Sequence, residues 1–146
     1  MQTNDRGLNL IKEFEGLKLQ AYQDIANIWT IGHGHTKTAK SGMQITPDQA
    51  HELLMSDLKD AELGVERALT KPPTPNQFAA MVALAYNIGV GAFKGSTVLR
   101  EHNAGNHKAA SKAFLMWNKA TVNGQKVEVA GLTRRRQAEA DLYGLA

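Results

Sequence analysis

Glu15, Asp24 and Thr30 lie within one short stretch, EFEGLKLQAYQDIANIWTIGHGHT (residues 13–36). Their side chains are the parts that hydrolysis of a glycosidic bond requires. A carboxylic acid protonates the leaving oxygen, a second carboxylate stands opposite it, and a hydroxyl helps to hold a water. The spacing Glu-x8-Asp-x5-Thr is weak evidence alone, because the chain has 14 acidic residues from which such a pattern can arise by chance. The case depends on the elements that carry the three residues.

The segment from Asn4 to Glu15 has the pattern of a helix, with Asn4 or Asp5 as its cap and Leu8, Ile11 and Phe14 as its apolar stripe. Leu8, Ile11 and Glu15 follow i, i+3, i+7 spacing, so Glu15 shares the buried-facing side. Gly16 comes next, a natural residue to end the helix. Apolar neighbours and the negative end of the helix both disfavour a charged carboxylate at that position, which suits a general acid. The competing reading is an ordinary solvated glutamate in a last turn.

Leu17 to Tyr22 is too short and too mixed for a helix, and Asn27 to Thr36 reads as strand and turn. Asp24 falls in the connection, where an aspartate commonly bonds its own backbone. Alternation along Ile28-Trp29-Thr30-Ile31 points Thr30 away from Trp29 and Ile31, onto the polar face of a strand. Each residue alone has an ordinary explanation as turn or strand former. Together they point toward one cleft between a helix end and a small sheet.

With these residues in view, the chain resembles the phage-type lysozymes, the T4-lysozyme-like glycoside hydrolases that serve as endolysins. The resemblance continues through ITPDQAHELLMSDL (45–58), NQFAAMVALAYNIGVGAFKGSTVLREHNAG (76–105), Trp117 and GLTRRRQAEADLY (131–143). It implies an α+β, mostly helical fold. A small N-terminal lobe with a short sheet (about 12–45) is joined by a long helix (about 46–70) to a helical C-terminal lobe (about 75–146), with the first helix packing on that second lobe. The whole forms one lysozyme-like domain. It also implies that Glu15 is the proton donor, Asp24 the second catalytic carboxylate and Thr30 the holder of the attacking water. Asn87, His35 and Ser96 are expected to contact substrate. An arginine of the last helix, Arg135 or Arg136, is expected to support the acid. The substrate implied is bacterial peptidoglycan, cut at the β-1,4 bond between N-acetylmuramic acid and N-acetylglucosamine by a monomer with no cofactor. The chain departs from the family pattern at Asn27, where Gly is usual, and at His33, where Tyr is common. Asn tolerates a left-handed backbone, so the turn is expected to survive the first change.

Composition bounds the possibilities. A chain of 146 residues is long enough to bury a real core as one domain. It contains no cysteine, which excludes disulfides and thiol chemistry. MQTNDRGLNLIKEFEG lacks the pattern of a secretory signal, and no apolar run reaches about 18 residues. The expectation is therefore a protein made in a cytoplasm. The resemblance implies that it reaches the wall through a membrane lesion made by another protein.

Thr46-Pro47-Asp48-Gln49 is a capping box with Pro at the first helical position, and the apolar stripe that follows reaches Leu69 before the loop KPPTP (71–75). Gln77 to Ile88 is apolar on most sides and reads as a buried helix. Gly89-Val90-Gly91 reads as a helix stop, since no strand precedes it and no GxGxxG follows. Ser96 and Asn106 read as caps of the next two helices, Asn123-Gly124 as a tight hairpin, and Leu132 to Leu142 as the last helix. Trp117 suits the core better than a sugar platform. His33-x-His35 has no third ligand nearby, so no metal is expected.

The net charge of +3 is uneven, for residues 106–136 hold seven basic side chains and one acidic. Such a segment suits an anionic outer envelope, while no recognised motif supports nucleic acid as a partner. Arg134 to Arg136 could also be a solvated helix face, with Arg135 and Glu139 as an i,i+4 pair. A cell-wall binding module without turnover leaves the Glu15/Asp24 pairing unexplained. A lytic transglycosylase would need the acid but no water-directing aspartate.

Overall fold

The computed structural model describes residues 1–145. Helix α1 (Asp5–Glu15) is followed by the strands β1 (Lys18–Gln23) and β2 (Trp29–Gly32), then by α2 (Pro47–Ala68) and α3 (Pro75–Ile88). The short helices α4 (Val90–Lys94), α5 (Thr97–Asn103) and α6 (His107–Ala113) come next, and a 3-10 turn spans Phe114–Trp117. Strands β3 (Lys119–Val122) and β4 (Gln125–Glu128) precede the last helix, α7 (Ala130–Gly144). The fold is mostly helical, with two two-stranded antiparallel sheets.

The chain divides into two compact units. The smaller comprises Ile11–Asp60, and the larger combines Met1–Leu10 with the chain from Ala61 onward. In the smaller unit, α1 ends at Glu15 because Gly16 takes a left-handed backbone (φ +74°) while its N–H still closes on the Lys12 carbonyl at 2.9 Å. β1 then pairs with β2, and an isolated bridge between Gln20 and Gln44 ties residues 43–45 to β1 as well. Almost all of β1 is exposed, whereas Thr30, Ile31 and Gly32 of β2 are buried. The buried apolar side chains here are Ile11, Ile31, Ala50, Leu54 and Leu58. Thr46 and Gln49 complete the capping box that starts α2: each backbone N–H donates to the other's side chain, at 2.9 and 3.2 Å.

In the larger unit α3 is the centre, buried continuously from Gln77 to Ala85, and it packs against α7. Its start repeats the α2 signature. Thr74-Pro75-Asn76-Gln77 forms a second capping box, with bonds of 2.9 and 3.0 Å. Phe78, Phe93, Val98, Phe114 and Tyr143 fill the surrounding core. Gly89 ends α3 as expected, but the chain restarts as α4 at the next residue. Asn106 stands at the cap position of α6, yet its side chain does not cap; it donates to Glu101 Oε2 instead (2.9 Å). Asn123 (φ +52°) and Gly124 (φ +79°) have the paired positive φ values of a type I′ turn, which closes β3 onto β4. No described helix is long and apolar enough to cross a membrane.

Candidate active site

Glu15, Asp24 and Thr30 all belong to the smaller unit, and each is placed by a different local device. Glu15 is the last residue of α1 and is half-buried. Its carboxyl lies against the backbone of Gly34 in the turn after β2. A methyl group built on the Gly34 α-carbon would stand 2.6 Å from Oε1.

Asp24 closes the β1–β2 connection through its own side chain. Its Oδ1 accepts the N–H groups of Ala26 (2.8 Å) and Ile28 (2.9 Å). Its backbone N–H donates to the Ile28 carbonyl (3.0 Å), and its carbonyl accepts from Asn27 (2.9 Å). Asn27 takes φ +61°, so the left-handed position is kept without glycine. Because Oδ1 takes both side-chain bonds, the orientation of the carboxylate is set and Oδ2 is left for a further donor.

Thr30, expected on the polar face of a strand, is only 6% exposed. Both faces of β2 are covered, so alternation does not put Thr30 in water. Its hydroxyl donates to the Ile28 carbonyl (3.0 Å). With the proton used there, the oxygen of Thr30 faces any further partner as an acceptor.

The Gly32-His33-Gly34 turn holds these parts together. The Ile31 N–H donates to the His35 carbonyl and the His35 N–H to the Ile31 carbonyl, both at 2.9 Å. His33 Nδ1 donates to the Gly16 carbonyl (2.7 Å), the residue directly after Glu15. His35 is 4% exposed. Its Nδ1 donates to Asp57 Oδ2 (2.7 Å) on α2, and its Nε2 accepts the Thr38 N–H (3.2 Å). The two rings thus face different partners, and His35 anchors the turn to α2. The visible signal for this seat was Gly-x-Gly directly after a strand, a spacing that lets a backbone come close to a side chain.

The remaining candidates lie in the larger unit. Ser96 is buried and caps α5, accepting from Leu99 N–H (3.2 Å) and donating to the Phe93 carbonyl (2.7 Å). It borders a groove of about 320 Å³ with Met116, half-buried Trp117, Lys119, Thr121 and Lys126. Asn87 is exposed near the end of α3, and its Oδ1 accepts from Arg136. Arg135 and Arg136 are not a solvated face: they are 4% and 0% exposed, and each pairs with the buried Glu139 at 3.1 Å. Arg135 also donates to the Ala83 carbonyl (3.3 Å), which ties α7 to α3. Only Arg134 of the three faces solvent.

Residues 12–139 match the profile of the Phage lysozyme family. An endolysin of Acyrthosiphon pisum secondary endosymbiont phage 1 is 42% identical over 98% of both chains. The endolysin of Salmonella phage P22 is 41% identical over 96% of this chain and 97% of its own. Among solved structures, an endolysin from Escherichia coli O157:H7 phage FAHEc1 superposes with a TM-score of 0.93 at 46% identity, covering 98% of this chain and 93% of its own. The muramidase domain of SpmX from Asticaccaulis excentricus gives 0.95 at 40% identity over 99% of each.

Proposed function

The chain belongs to the phage lysozyme family, a lysozyme-type glycoside hydrolase acting on peptidoglycan, and on that premise we propose how its own residues perform the reaction. Glu15 is the general acid. It protonates the glycosidic oxygen between N-acetylmuramic acid and N-acetylglucosamine as the β-1,4 bond breaks. Asp24 and Thr30 hold the water that attacks the anomeric carbon from the opposite face.

The supporting observation is the hydrogen-bond polarity of the β1–β2 hairpin. The Thr30 hydroxyl gives its proton to Ile28, and Asp24 gives Oδ1 to two backbone amides, so both side chains present acceptors. A water donating one hydrogen to Thr30 Oγ1 and the other to Asp24 Oδ2 turns a lone pair outward as a nucleophile. Asp24 then takes up the proton as the carbon–oxygen bond forms, and Glu15 loses its proton to the departing sugar. The stereochemical result is inversion.

Mass analysis of fragments released from purified peptidoglycan, with the anomer followed by NMR during the first turnovers, tests this. Reducing N-acetylmuramic acid ends of inverted configuration are expected. Anhydro-muramic ends would mean that no water attacks and would assign a transglycosylase reaction. A retained configuration would indicate a covalent intermediate at Asp24.

A further inference from the structure

The geometry points to Gly34 as a positioning residue: its bare α-carbon is the surface against which the Glu15 carboxyl is oriented, with His33 holding the adjoining Gly16. This rests on the reading of Glu15 as the acid and extends it to what aims that acid. Four observations carry it. A Cβ at Gly34 would lie 2.6 Å from Glu15 Oε1 and 3.2 Å from Cδ, so only hydrogen at that position admits the carboxyl where it stands. Gly34 has φ +84°, a backbone that L side chains rarely adopt, so the sequence pays twice for any other residue. The His33–Gly16 bond (2.7 Å) connects the same turn to the residue that ends α1, fixing the Glu15 backbone from the other side. The turn itself is closed by the paired Ile31–His35 bonds and anchored to α2 through His35 and Asp57 (2.7 Å). A glutamate side chain has three rotatable bonds, and contact with a rigid backbone restricts the directions its carboxyl can take.

Gly42 provides the internal control. It lies in the same unit with φ +82°, but a Cβ there meets nothing within 4 Å. Gly42→Ala therefore reports the backbone cost alone, and Gly34→Ala the backbone cost plus collision with Glu15. In Gly34→Ala, kcat on purified peptidoglycan should fall on the order of 10- to 100-fold, the scale expected when a reacting group is displaced by about 1 Å. KM should stay within about twofold, since misaiming the acid affects the transition state more than binding. Gly42→Ala should keep kcat and KM. In thermal unfolding, Gly34→Ala should lower Tm more than Gly42→Ala does. That excess should disappear when Glu15→Ala is added to Gly34→Ala, because the colliding carboxyl is gone.

Full kcat in a folded Gly34→Ala protein, with Glu15→Gln inactive, would overturn the proposal. So would strictly additive effects of Gly34→Ala and Glu15→Ala on Tm, which would make the loss one of backbone strain only. If Gly34→Ala does not fold, recovery of folding in the double variant supports the proposal, and failure to recover overturns it. The mechanism can fail separately. Tm coupling together with undiminished kcat in both Gly34→Ala and Glu15→Gln would mean that Gly34 seats a carboxyl that is not the acid.

Discussion

His102 and Tyr143 show how much single side chains of the larger unit depend on protonation. His102 is fully buried; its Nε2 donates to the Lys71 carbonyl (3.1 Å), so its Nδ1 accepts from the Tyr143 hydroxyl (2.6 Å). Burial lowers the pKa of His102 below its ordinary 6.5, and nearby His107 adds to the effect. Burial also pushes Tyr143 from 10.0 up to about 12. Both groups are therefore held neutral by the fold. When pH falls below about 6.5, the unfolded chain takes up the histidine proton first, so stability declines as pH drops. When pH rises above 10.0, the unfolded chain loses the tyrosine proton first, so stability declines again toward about 12. Tm measured against pH should show a plateau between these limits, and Tyr143→Phe should flatten the alkaline fall. An unchanged alkaline fall in Tyr143→Phe would show that another group titrates there. The place of Asp24 in the fold is legible from residue type alone: an aspartate in a turn that bonds its own backbone, with Asn27 taking the left-handed position.

Elements whose ends carry local signals were legible in the sequence. The Thr46–Gln49 box, Gly16 after Glu15 and Asn123-Gly124 each act within a few residues, so sequence and structure agree at all three. The same logic would have found the box at Thr74–Gln77, which has the same Thr-Pro-x-Gln form. What could not be read locally depends on partners distant in the chain. Thr30 is buried because both faces of β2 are covered, and Asn106 turns to Glu101 instead of capping α6. The restart of α4 at Val90 follows a glycine that does end α3, so the stop was legible and the resumption was not. On α7, three consecutive arginines look solvated until α3 is packed against it, whereupon Arg135 and Arg136 share the buried Glu139. Glu139→Ala removes the carboxylate that both buried guanidinium groups pair with, and should cost about 3–5 kcal/mol in urea unfolding. A loss below about 1 kcal/mol, the range of exposed pairs, would mean that the arginines find equivalent partners elsewhere.

Across the whole molecule, attraction to an anionic envelope should be separable from the chemistry. With Arg135 and Arg136 buried and paired with Glu139, the exposed positive charge of residues 106–136 is carried by Lys108, Lys112, Lys119, Lys126 and Arg134. Replacing Lys108, Lys112 and Lys119 with Gln should weaken binding to intact envelopes and slow lysis of whole cells, while turnover of a short soluble muropeptide barely changes. The wild-type advantage should shrink with salt, because exposed charges are screened beyond about 8–10 Å at physiological ionic strength. Equal losses on cells and on the soluble substrate would show that these lysines serve the fold or the chemistry instead. The central claim, that this molecule is a hydrolase whose acid is Glu15, has a more direct test: the turnover of purified Glu15→Gln on isolated peptidoglycan, with circular dichroism confirming the fold. The amide fits the same space but has no proton to give, so the rate should fall on the order of 10²-fold or more with Tm little changed. Wild-type turnover by that variant would contradict the account.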